Sequence, residues 1–229
     1  MISILSWNIR QGGGTRTLGI IRKIAKIKPQ IVILSEYRNN KHGSSIRNTM
    51  LELGYRYQIV THADTDVNSV IILSTLPCSS TTYHLRKVDY DANLVKASFG
   101  IFDVIGIYLP HKKKHKLFDI LLEEAQTDTP LIIAGDYNTG KNGVDQKGDS
   151  FWYTDDLKKL ENEGMVDAFR HIHGQVKEYS WFSHQGNGYR YDHTYISGEV
   201  LPIVKACYYL HEWREEGLSD HSPMVVEIG

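Results

Sequence analysis

The chain opens with short apolar runs that alternate with amphipathic stretches, a pattern that predicts strands alternating with helices. The apolar runs at residues 2–5, 30–35 and 131–134 are typical of buried strands. Apolar residues recur at helical spacing over residues 17–27, and Lys28-Pro29 is expected to end that helix. The other predicted helices span residues 44–53 with Ser44 or Ser45 as N-cap, 115–127, and 160–164 after a polar loop at 149–159.

The middle of the chain carries a different pattern, in which short β-type segments follow one another without helices between them. These predicted strands span residues 55–61, 68–74, 94–99 and 102–108, and shorter ones follow near 194–196, 204–209 and 224–228. A tight turn at Gly100 indicates a hairpin. Hairpins mixed with β-α-β units argue against a purely parallel sheet. We therefore predict one α/β domain over residues 1–229, with helices flanking two mixed sheets.

Polar side chains follow several of the predicted strands at the point where each strand ends. Asp136 and Asn138 come just after the run at 131–134, and two residues apart they point the same way. Taken alone, an Asx-type turn would explain this pair. The same feature recurs at other strands, with Asn8, Glu36 and the pair Asp220-His221. Four apolar runs with an acid, an amide or an imidazole at an edge predict a functional site.

The composition narrows the class of protein. In 229 residues, 41% hydrophobic and 23% charged side chains are ordinary for a soluble globular protein, and no apolar run approaches the roughly 20 residues of a membrane span. The N-terminus has no basic segment before its first strand, and two cysteines, Cys78 and Cys207, are expected to be free thiols. These features predict a cytoplasmic protein without a signal peptide. The net charge of -1 means that binding to nucleic acid would depend on local basic patches.

The candidate residues favour a divalent cation. Acids and amides gathered at one point would repel one another without a cation, and hard oxygen ligands suit Mg²⁺ or Mn²⁺. Asp192 and His221 are further candidates, and an imidazole next to carboxylates could stabilise charge on a transferring phosphoryl group. Asn138 and Tyr108 supply neutral hydrogen-bond donors. Together these groups predict metal-assisted in-line hydrolysis of a phosphate ester.

Each candidate also has an ordinary structural explanation. Glu36 could be a solvated acid, Asp220-His221 a turn, and the run Lys112-Lys113-Lys114 a solvated loop. A Rossmann-type nucleotide-binding fold is an alternative interpretation of the β-α-β opening. It is disfavoured because the triplet Gly12-Gly13-Gly14 matches the glycine spacing of neither the dinucleotide-binding motif nor the Walker motif. The joint occurrence of the candidates favours the site over these separate explanations.

Six segments of the chain together resemble the endonuclease/exonuclease/phosphatase superfamily, which includes exonuclease III, abasic-site endonucleases, deoxyribonuclease I and sphingomyelinases. The segments occur in the family's order and run from the first strand to the last, so the resemblance covers essentially the whole chain. They are Ser6-Trp7-Asn8-Ile9, Leu34-Ser35-Glu36, Ile107-Tyr108-Leu109-Pro110, Ala134-Gly135-Asp136-Tyr137-Asn138, Arg190-Tyr191-Asp192-His193 and Gly217-Leu218-Ser219-Asp220-His221-Ser222-Pro223.

The resemblance implies a four-layer α/β sandwich with its site at the edge of two central sheets. It also implies a role for each matching residue. Glu36 would be the principal Mg²⁺ ligand, with Asn8 and Asp220 beside it. Asp136 would orient or deprotonate the attacking water. Asn138 and Tyr108 would contact the phosphate. Asp192 and His221 would stabilise the pentacovalent centre.

Within the superfamily, residues 164–170 and 179–183 look most like the exonuclease III and abasic-site endonuclease branch, where the aromatic corresponding to Trp181 lies near the sugar pocket. Arg10 departs from the acid or amide that some nucleases carry two residues after the first asparagine. We therefore expect a monomeric, Mg²⁺-dependent DNA nuclease whose substrate contacts include Trp181, Arg10, Lys112, Lys113 and Lys114. The near-neutral charge and Arg10 leave open a phosphatase or phosphodiesterase for a small or lipid phosphate ester, and a third alternative is a catalytically silent scaffold.

Overall fold

Two six-stranded sheets pack face to face in the computed structural model, which describes residues 1–61, 63–81 and 91–229. In spatial order the first sheet contains β13 (Val204–Tyr209), β14 (Met224–Ile228), β1 (Ile2–Asn8), β2 (Ile31–Tyr37), β4 (Ser69–Ser74) and β3 (Tyr57–Val60). The second contains β5 (Ser79–Thr81), β6 (Leu94–Ser98), β7 (Asp103–Tyr108), β8 (Leu131–Asp136), β12 (Asp192–Ile196) and β9 (Val166–Asp167). A separate hairpin pairs β10 (Trp181–Phe182) with β11 (Gly188–Tyr189).

Helices surround the two sheets, on their outer faces and, for the fifth helix, beside the core between the sheets. They are α1 (Thr17–Ile27), α2 (Lys41–Glu52), α3 (His115–Ala125), α4 (Thr154–Asn162), α5 (Ala168–His173) and α6 (His211–Glu215). Buried side chains of α1 and α2 share a core with the first sheet, and those of α3 and α4 share one with the second. A third core lies between the sheets. The mixed α/β class and the helix–sheet–sheet–helix layering predicted from the sequence are confirmed.

The sheets approach each other closely near their centres. A Cβ on Gly106 of β7 would lie 2.9 Å from a methyl carbon of Ile33 and 3.1 Å from one of Val70, so glycine allows this approach. Ser35 of β2 donates its hydroxyl to the carbonyl of Ile107 in β7 at 2.8 Å. Because β1 runs parallel to β2, and β7 to β8, the carboxyl ends of four central strands lie at sheet edges where side chains from both sheets can meet.

Some element boundaries differ from those predicted. Helix α1 has the predicted span, but α2 begins at Lys41 because the side chain of Asn40 caps it, accepting from the backbone nitrogens of His42 and Gly43. The prediction of a loop at 149–159 followed by a helix at 160–164 is wrong. Residues Thr154–Asn162 form α4, which buries only Leu157 and Leu160 and therefore contains few apolar residues that could mark it in the sequence. Helices α5 and α6 were not predicted.

No helix among the described residues has the length and apolar character needed to cross a bilayer. Cys78 is half-buried and Cys207 buried, and both are free.

A buried ion network joins the loop after β8 to the second sheet. The guanidinium of Arg190, fully buried, pairs with Asp145 at 2.8 Å and with Asp167 at 2.5 Å. Arg190 strongly lowers the pKa of Asp167 despite its burial, and Arg170 also pairs with Asp145. The paired groups are deeply buried, so each depends on its partner for compensation of its charge. The network thus anchors the loop that begins at the site.

Replacing Arg190 by Leu should lower the free energy of unfolding by roughly 3–5 kcal/mol, because the buried Asp167 would lose its guanidinium partner and the buried Asp145 would keep only Arg170. Urea denaturation would measure it. Lys158→Met is the matched control, since its partner Asp155 lies 3.5 Å away and both side chains are largely exposed; it should cost less than about 1 kcal/mol. Equal losses in the two variants would contradict a role for the network.

Candidate active site

Three predicted site residues meet where the two sheets come together. Asn8 ends β1, Glu36 lies near the end of β2, and Asp136 ends β8. The amide nitrogen of Asn8 donates to Glu36 Oε1 at 3.1 Å and to Asp136 Oδ2 at 2.8 Å. Its oxygen accepts from the backbone nitrogen of Arg10 at 2.8 Å, which orients the amide. Asn8 therefore links a carboxylate of one sheet to a carboxylate of the other.

The loop after β1 holds Glu36 through its backbone. Gln11 donates its backbone N–H to Glu36 Oε2 at 2.8 Å, and Gly12 donates to the carbonyl of Glu36 at 2.7 Å. Arg10, Gln11 and Glu36 all have left-handed φ angles, of 52°, 51° and 54°. Such angles are uncommon for residues with side chains and are maintained only by surrounding contacts. The glycine-rich loop thus positions a carboxylate at the site.

Asp136 leaves β8 in a tight turn. Gly135 has a φ of 151°, and a Cβ there would lie 2.0 Å from the carbonyl oxygen of Ile107, so no larger residue fits. Asn138 donates its backbone N–H to Asp136 Oδ1 at 2.8 Å and its amide to the carbonyl of Leu109 at 2.9 Å. Its φ of 47° is one that asparagine tolerates better than most residues. Asp136 and Asn138 are thereby fixed relative to each other.

Asp192 and His221 form a buried pair beside Asp136. His221 Nδ1 lies 2.7 Å from Asp192 Oδ2, and its Nε2 lies 4.0 Å from Asp136 Oδ2. Burial lowers the pKa of His221, but the nearby carboxylates of Asp192 and Asp136 outweigh it and raise the pKa to about 10. The indole of Trp7 donates to the carbonyl of His221 at 2.9 Å. At neutral pH the pair is an imidazolium held against a carboxylate.

The carboxyl group of Asp136 has an unusually high proton affinity. Burial and the negative charge of Asp192 raise its pKa, while His221 and the hydrogen bond from Asn8 lower it, leaving it at about 7. Tyr108 lies opposite Asp136 in the strand register. Burial and the charges of Glu36 and Asp136 raise the pKa of Tyr108 well above its usual range. Asp136 is thus suited to accept a proton, and Tyr108 to remain a donor.

Asp220 lies at the exposed side of the site. Its Oδ2 is 3.4 Å from the indole nitrogen of Trp181 and 3.8 Å from Nε of Arg10. The Arg10 side chain is 59% exposed, so its guanidinium is accessible to a ligand. Trp181 is half-buried and packs against Tyr189 and Tyr191 at ring distances of 5.9 and 5.5 Å. Arg10 and Trp181 thus both approach the same carboxylate oxygen of Asp220.

The donors of the site fit a hard divalent cation. Glu36, Asp136, Asp192 and Asp220 bring four carboxylates to the place where the two sheets meet, and Asp192 Oδ1 is buried with no hydrogen-bond partner among the described residues. Asp136, Asp192 and His221 place ligand atoms within 4.8 Å of one another. The His221 imidazolium already supplies positive charge to that cluster. Glu36 and Asp220 lie outside it and offer carboxylates alone, as Mg²⁺ prefers.

The three predicted lysines separate in the structure. Lys112 and Lys113 are exposed, whereas Lys114 is fully buried. Its ammonium donates to the carbonyls of Tyr137 and Asn138, both at 2.8 Å. The prediction that Lys114 contacts a polyanion is therefore not met, because its charge is enclosed beneath the turn that carries Asp136. Sequence reasoning missed this position, since a run of lysines does not reveal which one turns inward.

Sequence reasoning also missed two residues beside Asn138. His111 and Trp152 line a cavity of about 200 Å³ together with Asn138. The run Phe151-Trp152-Tyr153 was the available signal, because three consecutive aromatic residues in a polar loop are unusual. This run lies in the predicted polar loop at residues 149–159.

Comparisons with known proteins agree with this geometry. A profile of the Endonuclease/Exonuclease/phosphatase family matches residues 5–221. The chain is 25% identical over 169 residues to an exodeoxyribonuclease of Streptococcus pneumoniae, a match covering 62% of this chain and 60% of that protein. It is 25% identical over 187 residues to recombination repair protein 1 of Drosophila melanogaster, covering 69% of this chain and 27% of that protein. The chain thus spans less than two thirds of these relatives.

Solved structures share the fold over the whole chain. An AP endonuclease from Archaeoglobus fulgidus superposes with a TM-score of 0.86 at 20% identity, covering 100% of this chain and 99% of that one. A 3′ phosphatase from Neisseria, bound to a product DNA hairpin, superposes with a TM-score of 0.84 at 20% identity, with both chains fully covered. The four-layer architecture expected from the resemblance is thereby confirmed.

The buried Lys114 should make stability depend on pH. Burial lowers its pKa to about 7 from 10.5, with Asp136 opposing the shift. Between these values the unfolded chain binds a proton at Lys114 that the folded chain has released, so Lys114 should add stability as pH increases from 7 to 10. His221, whose pKa is raised to about 10, contributes the opposite slope in the wild type and in the variants alike. Denaturation at several pH values should therefore show that the free energy of unfolding of the wild type rises relative to that of Lys114→Met between pH 7 and 10. Lys116→Met, which removes an exposed ammonium, is the control; parallel profiles in Lys114→Met and the wild type would refute the assignment.

Proposed function

We propose that this chain, which belongs to the Endonuclease/Exonuclease/phosphatase family, is a divalent-metal-dependent phosphodiesterase acting on DNA. The observation that carries the proposal is the junction of the two sheets at Asn8. There one amide orients two carboxylates, and an imidazolium–carboxylate pair lies 4.0 Å from the second of them. This arrangement places a proton acceptor beside a fixed positive charge, as in-line phosphoryl transfer requires.

In the proposed reaction Asp136 accepts the proton of the attacking water. The water oxygen forms a bond to phosphorus while the ester oxygen on the opposite side leaves with the bonding electrons. Asn138 holds Asp136 in place through its backbone N–H. Its amide donates to the carbonyl of Leu109 and to Asp136 Oδ2, and the second of these hydrogens would turn to the phosphate when substrate binds. Tyr108 donates its phenolic hydrogen to a phosphate oxygen. These groups are held by the turn after β8 and by the end of β7, so little reorganisation is needed.

His221 stabilises the negative charge that develops on the phosphoryl oxygens. The carboxylate of Asp192, 2.7 Å from Nδ1, keeps the imidazole charged and fixes its orientation. Because the pair is buried, its interaction with a charged transition state is screened less than at the surface. Removal of either partner would leave the other buried and uncompensated.

Glu36 and Asp220, with Asn8 beside them, would hold the cation, for which we propose Mg²⁺ or Mn²⁺. When bound, such an ion supplies charge neutralisation at phosphate oxygens. Glu36 is held by two backbone contacts from the loop after β1, and Asp220 lies within reach of Trp181 and Arg10. The chain thus provides an orienting group for each proposed ligand.

DNA is favoured as the substrate by the relatives and by the surface around the site. The bacterial relative is an exodeoxyribonuclease, and one structural neighbour holds a DNA hairpin. The exposed ammoniums of Lys112 and Lys113 follow Tyr108 within the same loop, and Trp181 offers an aromatic face beside Asp220. We further propose that the protein acts as a monomer in the cytoplasm and that residues 1–229 form one catalytic domain.

A second candidate function is hydrolysis of a phosphomonoester, either at a DNA 3′ end or in a small molecule. The observation that favours it is Arg10, whose exposed guanidinium lies at the side of Asp220 where some family members carry an acid or an amide. An arginine there could neutralise the additional charge of a monoester. Substrates ending in a 3′-phosphate distinguish this candidate from a diesterase.

Asp136→Asn should reduce hydrolysis at least 100-fold, since a positioned proton acceptor contributes roughly 10²–10⁴-fold. The assay would use an end-labelled duplex containing one abasic site, the intact duplex, a 3′-phosphate-ended duplex and small phosphate diesters, with Mg²⁺ or with EDTA. EDTA should abolish every activity of the wild type. Asp119→Asn on the surface of α3 is the matched control. Full activity in Asp136→Asn would exclude the proposed mechanism, and hydrolysis of small esters alone would move the substrate away from DNA.

Lys112→Ala combined with Lys113→Ala should weaken DNA binding and its dependence on salt. Each phosphate contact contributes about 0.9 to the slope of log affinity against log salt, so the slope should fall by about 2. Fluorescence anisotropy at several salt concentrations would measure it. The control replaces the exposed lysines Lys26 and Lys28, on the outer side of the first sheet. An unchanged slope in the Lys112/Lys113 variant would remove this loop from the DNA-binding surface.

A further inference from the structure

Trp152 is the most exposed tryptophan, tyrosine or phenylalanine among the described residues, at 71%. Single exposed apolar side chains are common, so exposure alone carries no conclusion. The two neighbours of Trp152, however, are both anchored. Phe151 packs edge-on against Tyr189 and Tyr191, each at 5.8 Å. The indole is therefore presented outward from a backbone that is fixed on its N-terminal side.

The C-terminal neighbour is fixed as well. The ring of Tyr153 stacks on Phe118 of α3 at 6.4 Å with an interplanar angle of 15°. Its hydroxyl accepts from the backbone N–H of Lys113 at 2.8 Å. The loop that carries Trp152 is thereby joined to the loop after Tyr108, so the relative positions of the two loops are set by the core.

Two other side chains surround the indole. The ammonium of Lys112 lies 5.0 Å from the centroid of the Trp152 ring, and the ring of His111 lies 6.2 Å away. Both side chains are exposed. A cation beside a tryptophan face combines a stacking surface with a charge that can pair with phosphate. Proteins that bind single-stranded nucleic acid use this combination.

This group of side chains borders the proposed catalytic centre. Trp152 and His111 form the rim of a cavity of about 200 Å³, which Asn138 also lines. The amide of Asn138 lies 3.2 Å from Asp136 Oδ2. The volume is below the roughly 300–1,000 Å³ of pockets for drug-sized ligands and is suited to one ring system. A group attached to the reacting phosphate would therefore reach the rim directly.

We propose that Trp152, with His111 and Lys112, is a stacking site for an unpaired nucleobase adjacent to the reacting phosphate. This inference rests on the proposed action on DNA and specifies the substrate further. A base engaged in a duplex has its faces covered by neighbouring bases, whereas a frayed or single-stranded end has a free face for the indole. The enzyme should therefore favour single-stranded or frayed ends.

The test compares two fluorescein-labelled oligonucleotides of equal length and phosphate charge, one single-stranded DNA with bases and one built of abasic tetrahydrofuran nucleotides. All proteins carry Asp136→Asn, so that anisotropy in Mg²⁺ measures affinity with the cation present and cleavage suppressed. Trp152→Ala should weaken binding of the base-containing strand about tenfold, which corresponds to about 1.4 kcal/mol, and binding of the abasic strand less than twofold. Trp152→Phe should restore most of the affinity, because phenylalanine retains a stacking face.

Tyr208→Ala is the matched control, since Tyr208 is an exposed aromatic on β13 at the edge of the first sheet; it should change neither affinity. Equal weakening of both strands by Trp152→Ala, or no weakening of either, would overturn the stacking site while leaving the nuclease proposal intact. Failure of the parent Asp136→Asn protein to bind either strand in Mg²⁺ would overturn the proposed action on DNA together with this inference.

Discussion

The contact on which the site depends is the double hydrogen bond from the Asn8 amide to Glu36 and Asp136. These carboxylates belong to different sheets, so their separation is set by how the sheets pack. Close packing at Gly106 brings the strand ends together, and Asn8 then joins them. The layered core therefore has a direct chemical consequence, because a shift of one sheet against the other would separate the proposed cation ligands from the proposed base.

Two small groups of buried charged side chains in this protein each bring a cation close to two carboxylates. The imidazolium of His221 lies between Asp192 and Asp136, and the guanidinium of Arg190 lies between Asp145 and Asp167. One group is at the site and the other is beneath the loop that forms its rim. In a medium of low polarity such groups tolerate little displacement, since the loss of one partner leaves an unpaired charge. The site is thus held by electrostatics as well as by packing.

The sequence predicted the parts of the site that follow from strand ends. Asp136 and Glu36 come directly after apolar runs, so strand periodicity places them at a common edge without knowledge of long-range contacts. The burial of Lys114 could not be predicted, because it depends on how the start of α3 packs against the turn after β8. Helix α4 was misplaced for a related reason: only two of its side chains are buried, and its polar composition resembles a loop.

The left-handed backbone at Glu36 and Asn138 lowers the stability of the fold at two positions where the proposed site needs a functional side chain. A residue with a side chain in that conformation costs of order 1–3 kcal/mol, and asparagine is disfavoured less than glutamate. Glycine would relieve this strain at either position and at the same time remove a functional group. A substitution made only to raise thermal stability would therefore remove part of the site, and the gain in stability should be larger at Glu36 than at Asn138.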